Sequence, residues 1–368
     1  MSDDNLLIDA TTKIFEDLCD PQNINSAKDN SWKQLLWNAL EESGLTSAWV
    51  PEEFGGAGAS ISDGFSIIEV AGKFAVPIAL PETLLGGWLL SNANINVPKG
   101  IMAVAPTRPR DKLTIHSNGT LNGQVRGVPF ASEADHIVAA IEDAGSTKIA
   151  LVAKDNCEIK SLSGLSGDPR DTILFDNVDA ISIQKLQGDL SYRSVKLMGA
   201  TIRSLQIGGA LMAILELATE HAKTRVAFEK PIAKFQAVQH NLAKLANETA
   251  AAVAVANSAA DTLANSPHNE QAIFFEASSA KIRTGEAVGE GTAIAHQVLG
   301  AIGFTEEHIL HRFTQRLWDW RDDFGNESEW AVELGALIAE NGPDELWPLL
   351  TTRQNFKERF EYEPIDKL

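Results

Sequence analysis

Residues 194–228, SVKLMGATIRSLQIGGALMAILELATEHAKTRVAF, carry apolar side chains at three- and four-residue steps over their whole length. That period is helical, and a helix so long and amphipathic needs other helices to cover its apolar face. Glu229-Lys230-Pro231 breaks the run, since proline cannot continue it. Two more long runs follow, KFQAVQHNLAKLANETAAAVAVANSAADTLA with an Ala-rich face and NEQAIFFEASSAKIRTGEAVGEGTAIAHQVLG. A shorter one, SEWAVELGALIAE, has Ser328 placed as N-cap. Together they predict a C-terminal four-helix bundle over residues 191–342.

Upstream the period changes. IMAVAP, KLTIHSNGTLNGQVRGVPF, HIVAAI, KIALVA and DTILFDNV are short and rich in β-branched residues, with turn signals at Asn118-Gly119 and Asn122-Gly123. They predict a middle antiparallel β-domain over 98–190. Residues 1–97 return to helical spacing, at Leu35, Leu36, Trp37 and Leu40 and again in ISDGFSIIEVAGKFA. Between those two pieces WVPEEFGGAGAS is a loop, from Pro51 and the glycines Gly55, Gly56 and Gly58. The tail, 343–368, reads as charged and extended. The class expected is therefore α+β, with an N-terminal helical domain, a β-domain, a bundle and a tail.

The chain has 368 residues and a formal net charge of −19. A field of that sign repels nucleic acid and anionic membranes, although it leaves room for an anionic small molecule held by a local cluster of Arg, Lys and backbone N–H groups. Cys19 and Cys157 stand far apart in no CxxC pattern, so neither a disulfide framework nor a Cys-based zinc site is expected. The first fifteen residues carry acids where a signal peptide needs basic ones. No segment holds the ~18 unbroken apolar residues of a membrane span. A cytoplasmic protein is expected.

Two segments gather chemistry. In HAKTRVAFEKPIAKFQAVQHNLAKLA, Arg225 and Phe228 close one helix while Phe235 and Gln236 open the next. A guanidinium fork beside a helix N-terminus suits a diphosphate; the alternative is a helical hairpin with a surface Arg and a packed Phe. In AHQVLGAIGFTEEHILHRF, Gln297 ends a helix, and Gly300 permits a turn or a close approach to a ligand. GAIG has no preceding strand, so it is not a dinucleotide fingerprint. His308 and His311 suggest no third metal ligand and read as surface or capping groups. The chain has neither a P-loop nor a GxSxG nucleophile elbow. WDWRDDFGNESEW, 318–330, presents five acids as candidate bases.

Taken together, these segments resemble the acyl-CoA dehydrogenase family over residues 5–340. VPEEFGGAG is similar to its PE(E/K)-(F/Y)-GG loop, TRVAFEKPIAKFQAVQHNLA to its R-x-x-F-G-x-x-(I)-x-x-F-Q segment, and HQVLGAIGFTEEHILHR to its Q-x-x-G-G-x-G-(F/Y)-x-x-E segment. The resemblance implies a FAD enzyme that desaturates an acyl-CoA thioester. A carboxylate takes the α-proton and the flavin accepts the β-hydride. It also implies that Arg225, Phe228, Phe235, Gln236, Gln297, Gly300 and Ala301 hold the adenosine diphosphate half of a neighbouring subunit's FAD. Ala301 stands where the family has a second glycine, and Glu229 where it has the glycine after Phe228.

Other family features are missing. APTRPRDKL, 105–113, replaces the T-E-P-x-x-G-S-D stretch, and Val128-Pro129-Phe130-Ala131-Ser132 replaces the W-(I/V)-(T/S) strand. Phe324, before the retained Gly325, stands at the usual place of the base, and Gly199 at the alternative place on the preceding helix. The resemblance therefore extends to the non-catalytic subunit of heteromeric α2β2 enzymes that degrade steroid or bile-acid side chains. Such a subunit implies a catalytic paralogue as partner, a shared FAD and an electron-transfer flavoprotein. A self-sufficient enzyme using Asp322, Asp323 or Glu327 as a displaced acid is the alternative, and a non-enzymatic scaffold is a third reading.

Overall fold

The structure, a computed structural model, describes residues 3–27 and 29–351. Five helices come first: α1 (Asp3–Leu18), α2 (Pro21–Asn25), α3 (Ser31–Glu42), α4 (Ile61–Lys73) and α5 (Leu80–Asn92). Ser60 starts α4 through a reciprocal capping box with Asp63. Eight strands follow: β1 (Met102–Ala105), β2 (Leu113–Ile115), β3 (Leu121–Pro129), β4 (His136–Asp143), β5 (Ser146–Ala153), β6 (Glu158–Lys160), β7 (Arg170–Val178) and β8 (Ser182–Lys185). Then come α6 (Tyr192–Thr224), the two-residue strands β9 (Val226–Ala227) and β10 (Lys230–Pro231), α7 (Gln236–Asn265), α8 (Glu270–Leu299), α9 (Leu310–Asp322), α10 (Glu327–Asn341) and α11 (Leu346–Thr351).

The strands form two four-stranded sheets, ordered β1-β4-β5-β8 and β2-β3-β7-β6. Their facing sides share one core of Leu121, Val125, Ile137, Val152, Ile173 and Phe175. The expected antiparallel pairing needs one correction, because β1 and β4 run parallel, Met102 opposite His136. The chain between them leaves to build β2 and β3, and so returns in the same direction, as a crossover does.

The axis of the bundle is α6. Its composition would let it cross a membrane, but its most apolar stretch is 94% buried within the protein. Leu310, Phe313, Leu317 and Trp320 carry α9 into the same core as α6 and α8, so α9 is the fourth helix of the bundle. The expected last helix, α10, packs against α8 through Trp330 and Phe274, whose ring centroids are 6.2 Å apart. Its N-cap is Asn326, not Ser328: the Asn326 side chain accepts from the Glu329 N–H at 3.0 Å, and the Glu329 carboxylate accepts from the Asn326 N–H. The reciprocal pair favours that register over a serine hydroxyl two residues on. The tail is helical at Leu346–Thr351, where extended chain was expected; residues 352–368 lie outside the described residues.

Candidate active and cofactor site

Three helix ends converge at one end of the bundle. Lys244 on α7 pairs with Glu290 on α8 at 2.6 Å, and Glu248 on α7 with Arg283 on α8. Carried on, this antiparallel register puts Gln236, the first residue of α7, level with Gln297 near the end of α8. Arg225 is the C-cap of α6, only ten residues before the N-cap of α7, so it lies at the same end. Arg225, Gln236, Gln297, Gly300 and Ala301 are all exposed there.

The long apolar run stops earlier than the sequence suggests, at Thr224 rather than Phe228. Residues 226–231 fold back as a hairpin in which Lys230 pairs with Ala227 and Pro231 with Val226. Phe228 and Glu229 are its two loop residues, both left-handed at φ 51° and 65°. This is the geometry of a type I′ turn, which glycine or asparagine fills more cheaply. The turn holds Phe228 out, 89% exposed, with its ring edge-on to Phe235 at 6.2 Å. Phe304 is 74% exposed and stacks on the buried His296 ring at 4.5 Å, and Trp318 lies parallel on that ring at 6.2 Å.

This end fits the diphosphate half of a flavin dinucleotide. Phe235 offers α7 no side-chain cap, which leaves the first N–H groups of a 30-residue helix free for an anion. Between residues 223 and 234 the chain carries Lys223, Arg225, Lys230 and Lys234 against one acid, Glu229, although it is strongly acidic as a whole. Gly300 has φ 64° and open space where a Cβ would point, so backbone can approach a ligand closely. His308 and His311 play a local part: the Leu310 N–H donates to His308 Nδ1 at 3.1 Å, and His311 Nδ1 lies 2.8 Å from the His308 carbonyl, around the start of α9.

The place expected for the catalytic base is closely packed. Phe324 is buried in a left-handed conformation at φ 55°, its N–H donating to the Thr107 carbonyl at 2.9 Å and its carbonyl accepting from Trp330 Nε1 at 3.0 Å. Its ring lies on Gly199, where a Cβ would come within 2.4 Å of it. The two places where a base is expected by family counting are therefore one place in space, closed by an aromatic ring packed on a glycine. The space left beside Phe324, between Pro106, Thr107, Tyr192 and Val195, is about 20 Å³. That is room for roughly one water. The loop 106–112 is stapled by the buried Asp111, which accepts from the Arg126 backbone N–H at 2.7 Å and from its guanidinium at 2.6 Å. Pro129 ends β3 opposite Arg170, where its missing N–H is tolerated.

Of the acids beside Phe324 offered as candidate bases, most are held by other groups. Asp323 is buried between two arginines, with Arg203 Nε at 2.9 Å on one oxygen and Arg170 Nη1 on the other. Burial pushes its carboxyl up, but Arg170 and Arg203 outweigh burial and hold it below the ordinary carboxylate range. A carboxylate so clamped is a poor proton acceptor. Glu327 accepts from Arg321 Nε at 2.9 Å. Asp319 accepts the backbone N–H groups of Leu165 and Ser166, each at 3.0 Å. Only Asp322 is exposed among the three displaced-acid candidates, at the very end of α9.

The Asp323 cluster reaches further than the sequence indicates. Arg203 also binds Glu82 of α5 and Gln206 of its own helix, and all of these are buried. Lys281 of α8 donates to the carbonyls of Arg321 and Asp323, at 2.8 and 3.0 Å, and so caps α9. The sequence does hold one signal for this cluster: Arg203 and Gln206 interrupt an otherwise apolar helix, and a buried charge needs a partner.

A chain with N-terminal helices, a two-sheet middle domain and a helical bundle whose exposed end suits a dinucleotide has the architecture of a flavin-dependent dehydrogenase. Residues 2–93 match the model of the acyl-CoA dehydrogenase N-terminal domain, and residues 198–317 that of the acyl-CoA dehydrogenase C-terminal domain. Acyl-CoA dehydrogenase IpdE2 of Mycobacterium tuberculosis is 27% identical over 294 residues, 79% of this chain and 82% of that protein. Among solved structures, the ChsE4-ChsE5 complex from Mycobacterium tuberculosis shares the fold with TM-score 0.81 at 18% identity, covering 92% of this chain and 98% of that one. A variant of the Tcur3481-Tcur3483 steroid ACAD does so with TM-score 0.80 at 21% identity, again over 92% and 98%. The chain belongs to the acyl-CoA dehydrogenase family, flavoprotein oxidoreductases that act on CH–CH bonds and generally bind FAD.

Proposed function

We propose that this chain is the non-catalytic subunit of a cytoplasmic heteromeric acyl-CoA dehydrogenase, paired as α2β2 with a catalytic paralogue. The observation that carries this reading is the Phe324 ring packed on Gly199, which leaves no proton acceptor at either place expected for the base. The exposed bundle end supports it from the other side. Arg225 and the free N–H groups of α7 bind the diphosphate of a FAD whose ring lies in the partner. Phe228 and Phe304 give the partner apolar surface to cover.

Bound FAD supplies the hydride acceptor for desaturation between Cα and Cβ of the thioester, and the partner supplies the carboxylate that removes the α-proton. This chain binds, orients and excludes water. A bulky ring-bearing acyl-CoA, of the steroid or bile-acid side-chain type, is the substrate class favoured by the steroid-directed neighbour. An electron-transfer flavoprotein is the expected acceptor of the electrons.

The test is made on the complex co-purified with the paralogue. Arg225→Ala in this chain should weaken flavin retention at least tenfold by losing a charge-assisted contact to phosphate. Phe324→Leu in this chain should leave turnover within about twofold, since the ring does no chemistry in this reading. Unchanged flavin retention in the Arg225→Ala complex would support a scaffold that takes no share in the cofactor.

A further inference from the structure

A second cavity, of about 320 Å³, opens at the opposite end of α6. Its floor is Leu197, Met198 and Ile273, all buried, and Trp88 of α5 and Leu263 of α7 form half-buried walls. This size lies within the range of small-molecule pockets, and apolar walls with a few polar groups at the mouth are their usual make-up. The space is also costly to leave empty, because side chains facing a void lose their dispersion contacts.

Charge narrows what can enter. The mouth carries two carboxylates, Asp189 and Glu270, together with His268, and none of the lining residues is a lysine or arginine. Arg193 lies 4.0 Å from Glu270 and over the Phe274 ring at 4.1 Å, so part of the Glu270 charge is already offset. A carboxylate, phosphate or CoA ester would find no lysine or arginine on this lining to pair with, in a chain that already carries a net charge of −19. We propose that this cavity binds a neutral, apolar small molecule, at a site separate from the flavin end of the bundle and independent of the catalytic assignment.

N-phenyl-1-naphthylamine and its sulfonated analogue 8-anilinonaphthalene-1-sulfonate make a matched pair of probes, one ring system without and with an anion. On the full chain, and again on its complex, the neutral probe should brighten on saturable binding and raise the melting temperature by mass action. The sulfonate should bind this site at least tenfold more weakly, and Asp189→Asn with Glu270→Gln should narrow that gap. Leu263→Trp should fill the space and weaken the neutral probe at least tenfold. Leu190→Trp, at another half-buried lining position, is a second chance to see the same loss if the first variant folds poorly. The proposal is overturned if the neutral probe neither brightens nor stabilises, if both fillings leave its binding unchanged, or if the sulfonate competes for this site with equal affinity.

Discussion

Lys281 is surrounded by protein, and burial pushes its ammonium down to about 7, against the pull of Asp323. In the unfolded chain the same group keeps its ordinary value near 10.4. Between about pH 7 and 10 the unfolded state therefore holds a proton that the folded state has released, and this group makes stability rise with pH across that window. Lys244, held charged by Glu290, works in the opposite sense at the alkaline end, so the comparison has to be made against a variant. The difference in melting temperature between the native chain and Lys281→Met should be constant below about pH 7, where the buried charge costs the native chain most, and should shift in the native chain's favour as pH rises to 10. Parallel curves would contradict the assignment. At the hairpin tip, Glu229 sits at φ 65° with an exposed side chain. Glu229→Gly should relieve strain of about 1 kcal/mol, seen as a higher urea midpoint. The acids of WDWRDDFGNESEW were legible as a group but not as individuals. Asp323 is structural and Asp322 exposed because β7 and α6 bring Arg170 and Arg203 to one side of the chain there, and such long-range neighbours leave no local mark.

At the scale of elements, α6 meets two kinds of neighbour through two glycines. A Cβ on Gly199 would press into the Phe324 ring, whereas one on Gly208 would meet Val253 at 3.5 Å, an ordinary contact. In a helix interior Gly→Ala normally gains about 0.5–1 kcal/mol. Gly208→Ala should show that gain, while Gly199→Ala should be destabilised by about 1–3 kcal/mol through overpacking. Thermal melts of the two side by side measure the difference, and equal shifts would mean that Phe324 yields freely. The helices were readable because their apolar residues recur every three to four positions, and the end of α6 was misplaced by four residues because Val226 and Phe228 keep that rhythm while forming a hairpin. The parallel β1–β4 pair escaped for a related reason: strand periodicity is the same in either direction, and only the path of the chain decides.

Over the whole molecule, one end of the bundle exposes apolar and basic side chains, while the region around Phe324 is closely packed. Val226, Phe228, Ile302 and Phe304 are exposed apolar side chains on the helix ends that carry Arg225 and Gln236. Inside the molecule, Phe324 packs on Gly199 and the Arg203–Asp323 cluster is buried beside it. That Arg225, Gln236 and Gln297 gather at one bundle end was legible because these residues are close in sequence to helix ends. The packing around Phe324 was legible only as absences, since it depends on how Phe324, Gly199 and Thr107 meet across three parts of the chain.

The central claim is that the flavin site is completed only between unlike chains. Its most direct measure is the FAD-to-protein ratio of the purified chain alone and of the complex co-expressed with its paralogue, read from the flavin spectrum. The account predicts a colourless, inactive chain alone and a yellow, active complex holding one FAD for each pair of unlike chains. A yellow, active homo-oligomer made from this chain alone would contradict it.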